Sequence, residues 1–282
     1  SEPSRLKASL QSTWLFNSFS NIFKSDYFES SPVPAEDETF ISLIDYSQCK
    51  KWHQIPGGVA TGNFIHKILE WDSGGIYSSN DRYDYICHNW PPHLDHSHHQ
   101  LITEWVDAIR QVPLNKKDTL ASITPEGKIA EPQFELSLQT DFSTKDLIHH
   151  LGKLSWYQPP KNLRSQALRG HLVGFIDLVF ESNGCFHIID YKTNTIGQDD
   201  SSYSAAAIDH QMQVSHYVAQ AALYGLALHR WLEITLDEYD PKYHLGNVIY
   251  LFCRGISGPC QGIWKRKLEA DVFSKITKKI LK

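Results

Sequence analysis

Gly174-Phe-Ile-Asp-Leu-Val-Phe-Glu-Ser-Asn-Gly-Cys-Phe-His-Ile-Ile-Asp-Tyr-Lys192 places two apolar runs on either side of Asn183-Gly184. Asn-Gly is the strongest short hairpin signal, because a type I′ turn needs positive φ at both central residues. A two-residue turn here pairs Ser182 with Cys185. Counting outward, Asp177 falls directly opposite Asp190, in a non-hydrogen-bonded pair where side chains lie closest. Lys192 lies two residues further on and shares the face of Asp190.

Two carboxylates facing each other across a ladder repel unless something offsets the charge. A divalent cation does so, and hard oxygen ligands suit Mg²⁺ or Mn²⁺. Lys192 beside them suits either of two tasks, stabilising charge on a phosphate or helping to activate a water. A solvated surface hairpin would also hold two acids and a lysine. Against it, both acids interrupt strongly apolar runs, Phe175-Ile-Asp-Leu-Val and Ile188-Ile-Asp-Tyr. Asp177, Asp190 and Lys192 are therefore the candidate catalytic group.

Working outward, Leu168 to Phe180 and Phe186 to Lys192 read as the two strands. Gln133 to Leu138 alternates with period two and reads as another strand, as does Val248 to Cys253. Thr61 to Glu70 has a helical stripe of Ile65, Ile68 and Leu69. Further helices are expected over His99 to Val112, Lys145 to Leu154, Ala205 to Leu232 and Glu269 to Leu281. Residues 73–99 are rich in Gly, Ser, Asn, Pro and His and read as an irregular insertion. Residues 1–40 read as a linker with a helical lead-in, leaving 41–282 as one domain. Strands and helices mix without strict βαβ alternation. The expected fold is α/β, a central mixed β-sheet flanked by helices.

An Asp, a hairpin and then Asp-x-Lys resembles the PD-(D/E)XK nuclease superfamily, and the match extends to the RecB-type nuclease domain. Gly62-Asn-Phe-Ile-His66-Lys-Ile-Leu-Glu70 resembles its opening motif. Gly174-Phe-Ile-Asp-Leu-Val-Phe and Asp190-Tyr-Lys-Thr-Asn194 resemble its catalytic strands. Gln220-Ala-Ala-Leu-Tyr224 resembles its Gln-x-x-x-Tyr helix, and His244 to Gly255 the strand after it. Asn63 stands where Thr is expected, and Cys253 where Leu is usual. The resemblance covers residues 55–265 and implies a restriction-endonuclease-like fold. It implies His66, Asp177, Asp190 and the Tyr191 carbonyl as metal ligands, with Lys192 as the catalytic lysine. Glu70, one turn beyond His66, is expected to orient or pair with it. Gln220 and Tyr224 are expected to brace the site.

The resemblance further implies Mg²⁺-dependent hydrolysis of DNA, with Mn²⁺ as a substitute, in double-strand-break repair and recombination. The implied partners are single-stranded DNA, a helicase portion of the same parent polypeptide, and RecC-like and RecD-like subunits. The chain has 282 residues, 41% of them hydrophobic, enough for a substantial core. No apolar run reaches the roughly 18 residues of a membrane span. The start lacks an apolar signal core and an initiator Met, as expected of a cytoplasmic piece of something longer. Cys49, Cys87, Cys185, Cys253 and Cys260 are scattered, which fits free thiols and no iron–sulfur cluster. The net charge of −5 argues against tight global attraction to nucleic acid. A basic tail, Lys265 to Lys282, is the local exception. No phosphate-binding Gly-x-x-x-x-Gly-Lys loop is present, so no ATP motor is expected within the chain. Two other readings remain. One is a catalytically inactive DNA-binding module, which would be expected to lack an acid or the lysine. The other is a zinc hydrolase using Cys87 to His99, whose spacing matches no structural zinc pattern.

Overall fold

In a computed structural model of the chain, the described residues are 16–18 and 51–281, apart from 140–141, 161–164, 166, 169 and 257–260. Residues 1–40 thus lie outside the described residues except for one short strand. The strands are β1 (Phe16–Ser18), β2 (Lys128–Ala130), β3 (Gln133–Ser137), β4 (Phe142–Ser143), β5 (Ala167–Leu168), β6 (His171–Phe175), β7 (Leu178–Ser182), β8 (Cys185–Lys192), β9 (Leu245–Phe252) and β10 (Ile263–Lys267). The helices are α1 (Val59–Ser73), α2 (Ser79–His88), α3 (His99–Arg110), α4 (Thr144–Leu151), α5 (Ala205–Val214), α6 (Tyr217–Thr235), the single turn α7 (Pro241–His244) and α8 (Ala270–Ile280).

The central sheet has five strands in the order β10-β9-β8-β7-β2. β8 and β9 run parallel and the other pairs antiparallel, so the sheet is mixed. Helices cover both faces. Val179, Ile188, Val248 and Tyr250 pack in one core with α6 and α8. Leu178, Phe180, Ile189, Tyr191, Ile249 and Leu251 pack in the other with α1 and α3. Alternation along β8 therefore sends Ile188 to one core and Ile189 to the other, as a strand buried on both sides requires.

The turn between β7 and β8 is the one expected. Asn183 has φ 53° and Gly184 φ 76°, and Ser182 pairs with Cys185. A second feature was not foreseen. The stretch expected as one strand from Leu168 to Phe180 is divided into β5, β6 and β7. β6 belongs to a separate ladder, β1-β6-β3, and β7 to the central sheet. The facing strand makes the same crossing between β2 and β3, where Glu131 adopts φ 49° and Pro132 has no N–H to give. Both ladders keep one register across the gap. Glu131 N–H donates to the Asp177 carbonyl, and Ile176 N–H donates to Pro132.

Two other expectations need correction. Residues 73–99 are not irregular throughout, for they contain α2. Its start is fixed by a capping box in which Ser78 and Asp81 bond each other's backbone N–H. The helix expected over Ala205 to Leu232 is broken at Ser215–His216, where His216 takes a left-handed conformation with φ 55°.

The helices α1, α2 and α3 are tied by a buried ionic cluster. Arg82 lies 2.6 Å from Asp107 and 3.3 Å from Asp72, and also donates to the Tyr77 carbonyl. Arg110 donates to both oxygens of Asp72. Arg254, only 1% exposed, fixes the approach to α1. Its guanidinium donates to the carbonyls of Trp52, Ile55, Pro56 and Thr193. The segment before α1 is thereby held against the end of β8.

Candidate metal centre

The register of three strands builds one row of acids. β7 and β8 pair so that Asp177 falls opposite Asp190. The common register of the β2–β7 and β3–β6 ladders puts Glu131 opposite Asp177 on its other side. On the far side of β8, Asp190 is level with Tyr250 of β9. Glu131, Asp177, Asp190 and Tyr250 thus cross the sheet in line. Helix α1 brings His66 to the row, with Nδ1 3.5 Å from Asp177 Oδ2. Gly62 permits this approach, since a Cβ there would lie 2.7 Å from the Thr193 hydroxyl.

His66, Glu131 and Asp177 offer ligand atoms all within 4.8 Å of one another. Glu131 was not among the residues singled out from the sequence. The signal for it was weak, because β2 spans only three residues and Pro132 interrupts the pairing. Extending the hairpin count to a third strand would have found it.

Asp190 is 1% exposed, and its carboxylate turns to Lys192, with Oδ2 2.6 Å from Nζ. That oxygen has no aligned hydrogen bond. Burial, opposed by the Lys192 charge and reinforced by Asp177, pushes the Asp190 carboxyl up to about 7. Asp177 moves the other way. Burial would raise it, but His66, Lys192 and the Tyr191 N–H at 2.7 Å outweigh that and hold it low. His66 is raised, because Asp177 and Asp190 outweigh its burial. Burial, with Asp177 and Glu70 nearby, raises Glu131. Lys192 lies above the usual lysine range, since Asp190, Tyr217 and Asp177 overcome the desolvation that would lower it. The acids of the row are thus drawn to different proton affinities by one crowded environment.

Gln220 accepts from Lys192 at 3.2 Å and donates to the Tyr224 hydroxyl at 2.8 Å. The Tyr250 hydroxyl donates to the same Gln220 oxygen at 3.0 Å. Glu70 is exposed and lines an open cleft of about 470 Å³ together with His66, Glu131, Tyr191 and Lys192. It makes no pair with His66, whose Nδ1 faces Asp177 instead. Tyr191 keeps its ring buried edge-on to His66.

The donor set fits a hard divalent ion. It offers carboxylates and one imidazole beside a buried carboxylate whose charge is only partly offset. In the His-rich segment, His96 and His99 approach to 3.4 Å, while His93 bonds the Thr61 hydroxyl. Among the described residues, the three-ligand group is the one at His66, not there. Cys253 is buried in the core beside the sheet and Cys87 and Cys185 are partly exposed; all three are free thiols.

The model of the PD-(D/E)XK nuclease superfamily matches residues 49–255. The chain is 34% identical over 244 residues to the RecBCD enzyme subunit RecB of Escherichia coli (strain K12), covering 79% of this chain and 19% of that protein. It is 45% identical over 267 residues to the same subunit of Mycolicibacterium smegmatis, covering 83% of this chain and 24% of that protein. With the Haemophilus influenzae subunit the identity is 28% over 225 residues, covering 79% and 18%. The chain therefore spans about a fifth of the length of the curated relatives it matches.

Proposed function

The chain belongs to the PD-(D/E)XK nuclease superfamily, and from that premise we propose that residues 41–282 form the DNA-hydrolysing module of a RecB-type helicase–nuclease. The observation that carries this is the row of Glu131, Asp177 and Asp190, with His66 and Lys192 beside it, lying under one cleft that Glu131, His66 and Lys192 line. His66, Glu131, Asp177 and Asp190 would hold Mg²⁺, or Mn²⁺ in its place, with the Tyr191 carbonyl as a further ligand. When bound, the ion lowers the pKa of a water and polarises a phosphate. Lys192 keeps a fixed positive charge at the cleft, where negative charge grows on the phosphate. Gln220 and Tyr224 hold that ammonium from behind.

The substrate is DNA, as a single strand fed by a helicase portion of the same parent polypeptide. RecC-like and RecD-like subunits complete the assembly, which works in the cytoplasm in double-strand-break repair and recombination. None of the described helices is long and apolar enough to cross a membrane. The net charge of −5 leaves the chain little non-specific grip on phosphates. Its own DNA binding is therefore weak and strongly salt-dependent, and tethering to a helicase raises the local strand concentration.

The test is cleavage of single-stranded DNA by the purified chain. Mg²⁺ should permit cleavage and EDTA should stop it. Adding the tethered helicase should raise the rate steeply. Metal-independent cleavage, or tight binding that salt does not weaken and helicase does not improve, would sink the proposal.

A further inference from the structure

The surroundings of Lys192 give a task to a residue of α6 that the metal centre does not use. The ammonium has two oxygen neighbours, Asp190 at 2.6 Å and Gln220 at 3.2 Å. It also lies 4.2 Å from the centroid of the Tyr217 ring and 5.3 Å from that of Tyr250. The Tyr217 hydroxyl donates to the Asn194 side chain at 3.2 Å, and its ring stacks on Tyr250 at 6.1 Å and 28°. Tyr217 and Asn194 both line the cleft, so this ring forms part of the wall around the ammonium.

The backbone supplies an independent observation. Sequence alone favours one continuous helix through this region, yet the chain breaks just before Tyr217. His216 takes φ 55° and ψ 20°, a left-handed conformation unfavourable for a side chain larger than hydrogen. Such outliers persist where the surrounding structure demands them. Tyr217 is the first residue of α6, so the break sets the direction from which its ring meets Lys192.

We infer that Tyr217 is a positioning residue, holding the Lys192 ammonium in place at the cleft through the face of its ring. The inference rests on the nuclease reading for its kinetic consequence, though not for its geometry. A cation over an aromatic face gains most where water is excluded. Without the ring, water reaches the ammonium from the cleft side, and Gln220 and the Tyr250 ring alone hold its direction less tightly. Asp190 would not prevent this, since its carboxylate is also a candidate ligand of the ion.

The experiment compares Tyr217→Leu with Tyr217→Phe, which keeps the ring and loses only the Asn194 bond; Tyr217→Met replaces the leucine variant if that does not fold. In Mg²⁺-dependent cleavage of single-stranded DNA, Tyr217→Leu should lose about ten- to thirtyfold in kcat, with KM within about twofold. Tyr217→Phe should stay within about threefold of the wild type. Equal losses in both variants, a change in KM alone, or full activity of Tyr217→Leu would overturn the inference. A second readout needs no activity. With ¹³C-labelled lysine, the Lys192 ε-methylene resonance should lie upfield in the wild type and in Tyr217→Phe. It should move toward its unshifted position in Tyr217→Leu, and its failure to move would equally overturn the inference. An inactive wild type with the expected resonance shifts would refute the nuclease reading and leave the positioning role standing.

Discussion

The molecule contains two buried ionic clusters that answer differently to the same problem. Around Asp72, two arginines from α2 and α3 meet one buried aspartate, and Asp107 and the Tyr77 carbonyl take up further N–H groups of Arg82. Ser79 completes Asp107 with a hydrogen bond of 2.6 Å. Around Asp177, acids outnumber cations, and the buried Asp190 carboxylate shares its one ammonium partner, Lys192, with the field of Asp177. The first arrangement is closed and joins three helices. The second is left open on a cleft and holds its acids at unlike proton affinities. Both are buried and charged, so burial of charge alone does not mark a site. What marks it is an excess of acids over cations beside a cleft.

The largest expected effects separate activity from stability. Asp190→Asn should lower Mg²⁺-dependent cleavage by on the order of a thousandfold or more, with little change in the metal-free melting temperature, because loss of the Lys192 pair and relief of the repulsion from Asp177 oppose each other. Asp72→Ala should do the reverse. It strands Arg82 and Arg110 in the core and should remove about 3–5 kcal/mol of stability, measured by urea unfolding, with activity per folded molecule retained. If Asp190→Asn unfolded the protein while Asp72→Ala abolished only cleavage, the two clusters would have been assigned backwards.

A smaller effect uses acid. His187, on β8 near Asp190, is stacked on Phe180 and accepts from the Asn247 N–H. Burial, with Lys265 and Lys267 nearby, pushes it down from 6.5 to about 4. The unfolded chain therefore binds a proton that the folded chain refuses, and stability falls as pH drops from about 6.5 to about 4, by roughly 3 kcal/mol at most. Asp190 has the opposite sign. Its folded-state value is raised from 3.8 to about 7, so its contribution improves as pH falls through that interval. In EDTA, Asp190→Asn should therefore lose stability more steeply than the wild type on acidification, and adding His187→Gln should make that loss shallower. A decline as steep in the wild type as in Asp190→Asn would remove Asp190 from the account.

Metal binding should be visible without catalysis. A hundredfold excess of Mg²⁺ or Mn²⁺ over its Kd should stabilise the wild type by about 2.7 kcal/mol, and this gain should vanish in Asp177→Asn. An ion that stabilises Asp177→Asn just as well is bound elsewhere. The smallest expected effect is in the His-rich segment. Joint replacement of His93, His96 and His98 by Gln should leave cleavage within about twofold and keep the Mg²⁺ requirement. Loss of a zinc-restored activity in that variant would favour the hydrolase alternative.

The hairpin and its two aspartates were legible because a period-two pattern and an Asn-Gly turn are both local. Its register followed from turn length alone. The break at Ile176–Asp177 was not legible, since a run of apolar residues reads as strand whichever ladder receives it. Glu131 was missed for the same reason, as its place depends on a register carried across a Pro-interrupted gap. Helix α2 was hidden by the polar composition of its segment, although Ser78 and Asp81 carried the capping signal. The α5–α6 break has no Gly or Pro to announce it. His66 reached the candidate set through resemblance, because a lone helical His has no local signature.

The row of acids has a consequence for how the protein is made. Asp177 and Asp190 meet as soon as one short hairpin closes, a microsecond-scale local event. Glu131 and His66 come from far upstream, and the parallel β8–β9 ladder and the Arg254 clasp need chain that follows. Such distant contacts form late because loop closure must precede them. A growing or half-folded chain would therefore carry the two aspartates without the rest of the cage. On that reading, cutting competence is a property of the finished fold, and a cell would meet this endonuclease-like fold only after it has been completely built.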